Sequence, residues 1–281
     1  MGTFVAILFI GALVAGFLGS LTGLGGGVII VPLLTLGMGV DIRYAIGTSL
    51  VAVIATSSGA AAAYVKEGIT NIKIGMFLET ATTAGAMVGA ALAVIVPAYS
   101  LMILFGMVLL YSGIISFKNR KEEILPVKKI RIKESKLAKL LNLDGKYQTL
   151  SGRSSYKVHN LVGGYLMMIL AGILSGLLGI GSGAFKVIAM DSIMKLPFKV
   201  SSATSNFMIG VTAAASAGVY LTRGYIDPVL SMPVVIGVLL GSLIGAKTLM
   251  KSKTKSLRIV FAIVITLLAV EMLYNGITKT M

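Results

Sequence analysis

The sequence has 281 residues, of which 56% are hydrophobic and only 12% are charged, and its mean hydropathy is +0.95. Soluble domains carry about 25% charged residues, so the composition excludes an ordinary soluble enzyme and a disordered chain, and the absence of Cys excludes a disulfide scaffold. Apolar windows recur that are long enough to cross about 30 Å of hydrocarbon. We therefore predict an all-α, polytopic membrane protein.

Eight long apolar segments follow one another along the chain, separated by glycine, proline and charged residues that favour turns. They lie near Phe4–Thr22, Tyr44–Val65, Ile74–Val96, Ser100–Phe117, Leu161–Leu178, Val200–Thr222, Val229–Met250 and Leu257–Tyr274. A shorter apolar stretch follows the first long segment of each half, near Val28–Leu36 and Ala184–Met194. At about 1.5 Å per residue these stretches reach only half-way across a bilayer, which predicts two half-helices.

A basic segment separates the two halves. Between residues 118 and 157 there are twelve Lys and Arg but four Asp and Glu, a net charge of +8 out of +15 for the chain. Such a segment between apolar spans is typical of a cytoplasmic loop, and no recognition motif supports a nucleic-acid partner. We predict a first transmembrane repeat at 1–117, a basic cytoplasmic loop at 118–158 and a second transmembrane repeat at 159–281. Within the loop, Lys133–Leu143 has amphipathic helical spacing, suited to the membrane surface or to the cytoplasmic face of the protein.

The two halves align without a gap when the sequence is shifted by 156 positions. The matched residues include glycines, a Thr-Ser pair and a Tyr: Gly16, Gly23, Gly25, Gly27, Thr48, Ser49 and Tyr64 fall on Gly172, Gly179, Gly181, Gly183, Thr204, Ser205 and Tyr220. The basic loops at 66–73, 191–199 and 251–258 all lie on the cytoplasmic side if the halves have opposite orientation. We therefore predict two inverted repeats, each with three full transmembrane helices and a Gly-broken hairpin, with both termini outside the inner (plasma) membrane.

Glycine-rich breaks separate each long helix from its half-helix. Three glycines at alternate positions favour a break in the helix, and broken backbone at membrane depth is tolerated only inside protein or beside water. The half-helix after each break directs unpaired N–H groups towards it, which suits an anion. The predicted anion site is Gly25, Gly26, Gly27, Gly181, Ser182 and Gly183. The alternative is close helix packing, which we prefer for Gly85, Gly89, Gly241 and Gly245 because they keep a four-residue spacing.

Several polar side chains extend this candidate site. Thr48, Ser49, Thr204, Ser205 and Asn206 can donate hydrogen bonds to an anion or hold a helix interface. Lys186 lies in the second half-helix, opposite Ile30, and an ionisable group at that depth is a functional candidate. It attracts the anion, pairs with Asp191 or extends its stem to the surface.

Three further charged groups have two interpretations each. Arg43 and Lys199 are register partners that act as gating charges where the pathway opens, or as interfacial anchors. Glu79 carries a coupling proton if its carboxyl is buried, or lies at the interface. The single His, His159, is interpreted as structural, and we predict no metal and no cofactor.

Both halves carry motifs that resemble the TauE/SafE sulfite exporter family, a group of membrane transporters that includes toluenesulfonate uptake permeases. The motifs are Gly16-Phe-Leu-Gly-Ser-Leu-Thr-Gly-Leu-Gly-Gly-Gly with Ala45-Ile-Gly-Thr-Ser-Leu, repeated as Gly172-Ile-Leu-Ser-Gly-Leu-Leu-Gly-Ile-Gly-Ser-Gly with Ser202-Ala-Thr-Ser-Asn. The resemblance implies a permease for small sulfur-containing anions such as sulfite or sulfoacetate, with the glycine hairpins and Thr-Ser positions lining its pathway. The second half departs from the first at Ile188, opposite Pro32, and at Lys186.

The leading hypothesis is therefore an alternating-access transporter of a small anion in a lipid bilayer. A carrier of another anion or of a metal cation, and a scaffold without transport activity, are the alternatives. An enzyme is not expected, because the chain has no Cys, one peripheral His and no His/carboxylate cluster with metal-ligand spacing. The sequence specifies neither the direction of transport nor the oligomeric state.

Overall fold

The computed structural model of the protein describes residues 2–22, 25–66, 68–118, 141, 143–149, 152–251 and 254–278. The first half contains α1 (Gly2–Thr22), α2 (Gly27–Met38), α3 (Ile42–Lys66), α4 (Ile72–Ile95) and α5 (Ala98–Lys118). The strands β1 (Gly145–Thr149) and β2 (Gly152–Tyr156) follow in the loop. The second half contains α6 (Leu161–Leu178), α7 (Gly183–Ile188) with a π-helical turn at Ala189–Ile193, α8 (Phe198–Thr222), α9 (Pro228–Lys251) and α10 (Thr254–Thr278).

The helices have the length and surface of membrane-spanning segments. Within the described residues, Ile42–Lys66, Ile72–Ile95, Leu161–Leu178 and Pro228–Gly245 are long and apolar enough to cross a membrane, and several shorter apolar helices accompany them. Large apolar side chains such as Ile10, Met76 and Leu267 are exposed on the outer faces of their helices. An apolar surface of this kind suits lipid rather than water. The predicted polytopic, helical membrane protein is confirmed.

Helices that the 156-residue shift relates have matching bounds and matching neighbours. α3 and α8 are both 25 residues long, and α4 and α9 are both 24 residues long, and in each pair both ends differ by 156 positions. α1 packs extensively on α9, and its counterpart α6 packs extensively on α4. Similar sequences in the two halves therefore form similar elements with similar contacts.

Equivalent helices at the centre of the molecule run in opposite directions. Near the start of α3, the ring of Tyr44 packs edge-on against Tyr225, which follows α8, with 5.5 Å between ring centroids. Near the end of α3, Tyr64 clusters with Ala203 of the first turns of α8. α5 and α10 are also antiparallel, because Gly106 faces Leu273 whereas Gly113 faces Thr266.

The predicted packing role of the spaced glycines is confirmed. Gly85 and Gly89 of α4 face the backbone of α6 around Ile173, and Gly241 and Gly245 of α9 face the backbone of α1 around Phe17. A Cβ atom on Gly241 would lie 2.8 Å from the amide nitrogen of Phe17. Backbone atoms cannot move aside as a flexible side chain can, so only glycine permits this close approach.

Replacing Gly241 by Leu should therefore separate α1 from α9. We expect a loss of about 1–3 kcal/mol in the free energy of unfolding, because overpacking displaces backbone at a closely packed interface. The measurement is a thermal melt of purified protein in detergent. Gly218→Leu is the matched control, since a Cβ on Gly218 would meet nothing within 4 Å; equal melting temperatures for the two variants would contradict the packing role.

The loop contains a β-hairpin, so the all-α prediction is wrong for this segment. β1 and β2 pair antiparallel, and Tyr147 and Tyr156 share one face with 6.0 Å between ring centroids. Both rings pack against the apolar cluster that includes Met194, and burial raises the pKa of the Tyr156 hydroxyl. The hairpin forms because its alternating aromatic face finds an apolar surface on the helices. Of the amphipathic segment Lys133–Leu143, all but two residues lie outside the described residues.

The second half-helix lies where it is predicted, but it is not a regular α-helix throughout. α7 has six residues and continues as a π-helical turn, in which the N–H of Met194 bonds to the carbonyl of Ala189 at 3.0 Å. α2, its counterpart, is an uninterrupted α-helix of 12 residues despite Pro32. The two half-helices are therefore related in position but differ in geometry. π-Helical turns are rare in proteins, and those that do occur are often found at functional sites.

Candidate functional site

The two glycine breaks meet in the interior of the molecule. A Cβ on Gly27 would lie 2.8 Å from the carbonyl oxygen of Gly179, and a Cβ on Gly25 would lie 3.6 Å from that of Ile180. The hydroxyl of Ser49 donates a hydrogen bond of 2.8 Å to the carbonyl of Gly179, which joins α3 to the second break. Gly23 and Leu24 lie outside the described residues. The breaks predicted in separate halves are thus direct neighbours.

Each break needs backbone conformations that favour glycine. Gly25 has φ +78° and Gly181 has φ +70°, both in the left-handed region that costs glycine little. Beyond the first break, the N–H groups of Ile29 and Ile30 both bond to the carbonyl of Gly26, at 3.1 and 3.2 Å. The first-turn N–H groups of α2 that lack carbonyl partners within their own helix therefore face the break.

Ser182 has an unusual environment in the second break. It adopts φ +48°, which is uncommon for a residue with a side chain. Its side chain is only 2% exposed, and its hydroxyl makes no hydrogen bond to any residue that the structure describes. A buried hydroxyl without a protein partner is uncommon in a folded protein, so Ser182 is a candidate hydrogen-bond donor to a ligand in the break.

The other predicted polar residues divide between the break and the helix interfaces. The hydroxyl of Ser205 donates to the carbonyl of Gly183 at 3.3 Å, so Ser205 lies at the second break as Ser49 does. Asn206 follows it on α8, with a buried Oδ1 that has no partner among the described residues. Thr204 instead accepts a 3.0 Å bond from the N–H of Asn71 at the start of α4. Thr48 is buried on α3, and its hydroxyl has no described partner.

Lys186 is buried, and its acidic partner is Glu79 from the first half of the chain. Its side chain is 0% exposed, and its Nζ lies 3.7 Å from Oε2 of Glu79. Nζ also donates to the hydroxyl of Thr212 at 2.5 Å, and that hydroxyl donates to Oε1 of Glu79 at 2.5 Å. Thr83 adds a 3.2 Å bond to Oε1. The interpretation that Lys186 extends to the surface is wrong, because its stem and ammonium group are enclosed.

Glu79 is likewise not an interfacial residue. It is 6% exposed and lies between α4, α7 and α8. Thr212, which links the two charges, is not marked by any motif in the sequence. A signal for the pair does exist: the register partners of Lys186 and Glu79 are Ile30 and Val235, both apolar. Two opposite charges that each replace an apolar residue of the other repeat indicate an ion pair between the halves.

Arg43 and Lys199 have different environments despite their equivalent positions. Arg43 donates from Nη2 to the carbonyl of Val96 at 2.9 Å, beyond the end of α4, whereas Lys199 is exposed. A cavity of about 410 Å³ lies near Arg43, away from the glycine breaks. It is lined by Thr35, Gly39, Val40, Asp41, Ile42, Ala98, Tyr99 and Met102. The described residues contain no group of three His, Asp or Glu side chains that could hold a metal ion.

Comparison with known protein families supplies the class of this protein. The family model for the sulfite exporter TauE/SafE matches residues 8–272, which covers both glycine breaks and nearly the whole chain. The chain belongs to the TauE/SafE sulfite exporter family. TauE/SafE is a transporter family, which fits the expectation that the chain is not an enzyme.

Relatives of this TauE/SafE chain are similar over most of their length. The probable membrane transporter protein YunE of Bacillus subtilis is 29% identical over 98% of this chain and 99% of its own length. A second B. subtilis protein, the probable membrane transporter YdhB, is 30% identical over 86% of this chain and 88% of its own length. A probable membrane transporter of Methanocaldococcus jannaschii is 26% identical over 95% of this chain and 94% of its own length. No solved structure gives a significant match. The chain is a multi-pass membrane transporter of the TauE/SafE type.

Proposed function

We propose that this TauE/SafE protein is a secondary transporter that carries small sulfur-containing anions, such as sulfite, sulfoacetate or other organosulfonates, by alternating access. One observation carries the proposal: two helix breaks, one from each half, meet in the interior, and the buried hydroxyl of Ser182 in the second break has no partner among the described residues. Paired broken helices near the bilayer midplane are where secondary transporters bind substrate. The sulfur-containing substrate class is taken from the family.

The proposed mechanism depends on two inverted repeats, each with three full transmembrane helices and one hairpin that returns to its own side. The antiparallel packing of α3 with α8 and of α5 with α10 supports this arrangement. Parallel repeats would instead leave equivalent helices pointing the same way. With the basic loop in the cytoplasm, both termini then lie outside the inner membrane.

The proposed anion site lies between the breaks. Backbone N–H groups of the two breaks and of the first turn of α2 supply donors, and an anion is stabilised at such a helix N-terminus. The predicted site residues Gly25, Gly26, Gly27, Thr48, Ser49, Gly181, Ser182, Gly183, Lys186, Thr204, Ser205 and Asn206 remain the proposed set. Among them, Ser182 is the residue whose hydroxyl is buried, unpartnered within the described chain and placed in the break.

Ser182→Ala should reduce uptake of sulfite into proteoliposomes by about 10–100-fold at subsaturating substrate. A hydrogen bond to a charged group contributes about 1.5–3 kcal/mol, and about 1.4 kcal/mol is tenfold in affinity. The fold should survive, because the hydroxyl bonds to no described residue. Radiolabelled sulfite uptake, with empty liposomes as background, is the measurement.

Ser231→Ala provides the matched control for this experiment. Ser231 is also buried with a hydroxyl that has no described partner, but it lies in the first turns of α9. The Ser231→Ala variant should transport sulfite at the wild-type rate. Uptake of Ni²⁺ or Co²⁺ by the wild-type protein with indifference to sulfite, sulfoacetate and organosulfonates would replace the anion proposal by a cation carrier; no flux of any solute would favour a scaffold.

A further inference from the structure

The cluster of Lys186 and Thr212 with Glu79 joins the second repeat to the first, and the equivalent positions of the two repeats hold no such pair of charges. The positions that the 156-residue shift makes equivalent hold Ile30, Thr56 and Val235. Threonine occupies both equivalent positions: Thr56 donates to the carbonyl of Ala52 at 2.9 Å, whereas Thr212 donates to Oε1 of Glu79 and lies 3.1 Å from the carbonyl oxygen of Met208. The positions equivalent to Lys186 and Glu79 are filled by the apolar side chains of Ile30 and Val235. Packing alone does not require a buried ion pair here.

The ion pair is incomplete as a hydrogen-bonded structure. Oε1 of Glu79 accepts bonds from Thr83 and Thr212, but Oε2 is buried without a hydrogen bond to any described residue, 3.7 Å from Nζ of Lys186. An ion pair at that separation holds the two charges without a hydrogen bond between them. One carboxylate oxygen thus has room for a proton.

Lys186 lies next to the proposed anion site. Its backbone N–H bonds to the carbonyl of Ser182 at 3.1 Å, which places it one turn after the second break. Side chains on a helix lean towards its N-terminus, and for Lys186 that direction is towards the break. The ammonium group can therefore approach an anion between the breaks over a short distance.

The surroundings of Glu79 contain few other ionisable groups. Helix α6, which packs along α4, brings Tyr165, whose hydroxyl lies 3.1 Å from that of Thr80. α8 brings Lys199 and Tyr220 at its two ends, and the π-helical turn after α7 brings Asp191. α4 itself carries Lys73 at its start. In the described part of the chain, Lys186 is the cation within ion-pair distance of Glu79.

We propose that Glu79 binds the proton that accompanies the transported anion. Lys186 is the countercharge, first of ionised Glu79 and then of the bound anion. Without substrate, Lys186 and ionised Glu79 neutralise each other. When an anion approaches Lys186, one proton from the aqueous phase bonds to Oε2 of Glu79, giving a neutral carboxylic acid. The ammonium group and a monovalent anion then neutralise each other. Moving a net charge through hydrocarbon is costly. The protein therefore switches between its outward-open and inward-open states only when the site is neutral, either empty or loaded with both anion and proton. One proton then crosses with each monovalent anion.

This inference rests on the proposed anion transport and is tested by counting protons. The probe is methanesulfonate, which stays a monoanion over the working pH range, with sulfite and sulfoacetate uptake measured in parallel. Proteoliposomes containing the wild-type protein and an internal pH dye should acidify by about one proton per methanesulfonate taken up. Uptake should accelerate when the outside is more acidic and should not respond to an imposed membrane potential.

The matched variant is the double substitution Glu79→Val with Lys186→Ile, which replaces each charge by the residue at the equivalent position of the other repeat. It should fold, because the equivalent positions of the protein already hold these side chains, and it should lose all proton movement. Glu79→Gln is the second variant; it keeps the polar shape and should lose the acceleration by external acid. Thr212→Ser, which keeps the bridging hydroxyl, should retain coupling.

The possible outcomes separate the two proposals. Methanesulfonate uptake by the wild-type protein without proton movement, or proton-coupled uptake by the double variant, overturns the inference and leaves the proposed function intact. Failure of the wild-type protein to move methanesulfonate, sulfite or sulfoacetate overturns the proposed function and the inference together. One proton per anion in the wild-type protein, lost in Glu79→Gln, supports both.

Discussion

Replacing Lys186 alone by Ile should lower the free energy of unfolding by about 3–5 kcal/mol. The substitution leaves the buried carboxylate of Glu79 without its cation, and removing one partner of a buried ion pair costs about this much. The bond from Nζ to Thr212 is lost as well. A large fall in melting temperature of the purified variant in detergent is the expected result.

Adding Glu79→Val to Lys186→Ile should recover most of that loss. Replacing both members of a buried ion pair by apolar residues is often neutral or stabilising, and Ile30 and Val235 already occupy the equivalent positions. Lys199→Ile is the matched control, because Lys199 is exposed and exposed substitutions usually change stability by less than about 0.5 kcal/mol. If the double variant melted as low as the single one, the unpaired carboxylate would not be the cause.

The helices and the duplication were predictable because their determinants are local. Length and apolar content fix which segments can span hydrocarbon, so the predicted stretch Val28–Leu36 lies within α2, and the predicted half-helix Ala184–Met194 nearly coincides with α7 and its π-helical turn. The helix bounds also differ by 156 residues, because similar sequences in similar packing environments form helices that begin and end at equivalent positions. Glycines with four-residue spacing likewise predicted close helix contacts, because they lie on one face of a helix.

The ion pair between Lys186 and Glu79 could not be predicted from any single segment of the sequence. Glu79 and Thr212 are 133 residues apart in the chain, and their contact depends on how α4 docks against α7 and α8. A lone Glu one turn into an apolar segment is compatible with an interface or with a buried partner, and local sequence does not separate the two. The bond from the N–H of Asn71 to the hydroxyl of Thr204 is likewise a contact between distant segments that local sequence does not indicate.

The β-hairpin was missed because charge dominated the interpretation of the loop. A net charge of +8 predicts a cytoplasmic segment but carries no information on its secondary structure. The structural information lies in Tyr147 and Tyr156, two aromatic residues that come together on one face only when the strands pair. Their docking surface is made of helices from both halves, so the strands depend on a tertiary fold that the segment does not encode by itself.

Gly27→Ala should reduce anion transport to the level of empty liposomes, the largest functional effect expected of a single methyl group here. The new Cβ would lie 2.5 Å from Oγ of Ser49 and 2.8 Å from the carbonyl oxygen of Gly179. The first atom belongs to a side chain that can rotate, but the second is backbone of the opposite break. The methyl group therefore forces the two breaks apart and disturbs the Ser49–Gly179 bond. Sulfite uptake into proteoliposomes measures the loss.

Gly218→Ala is the control that separates this effect from a general response to added volume. Gly218 lies in α8 with nothing within 4 Å of a new Cβ, and alanine is favoured over glycine in a helix by about 0.5–1 kcal/mol. This variant should transport sulfite at the wild-type rate and melt at the same or a higher temperature. Equal uptake by Gly27→Ala and Gly218→Ala would mean that transport does not depend on the contact between the breaks, because the structure gives the new methyl group on Gly27 no position that leaves that contact unchanged.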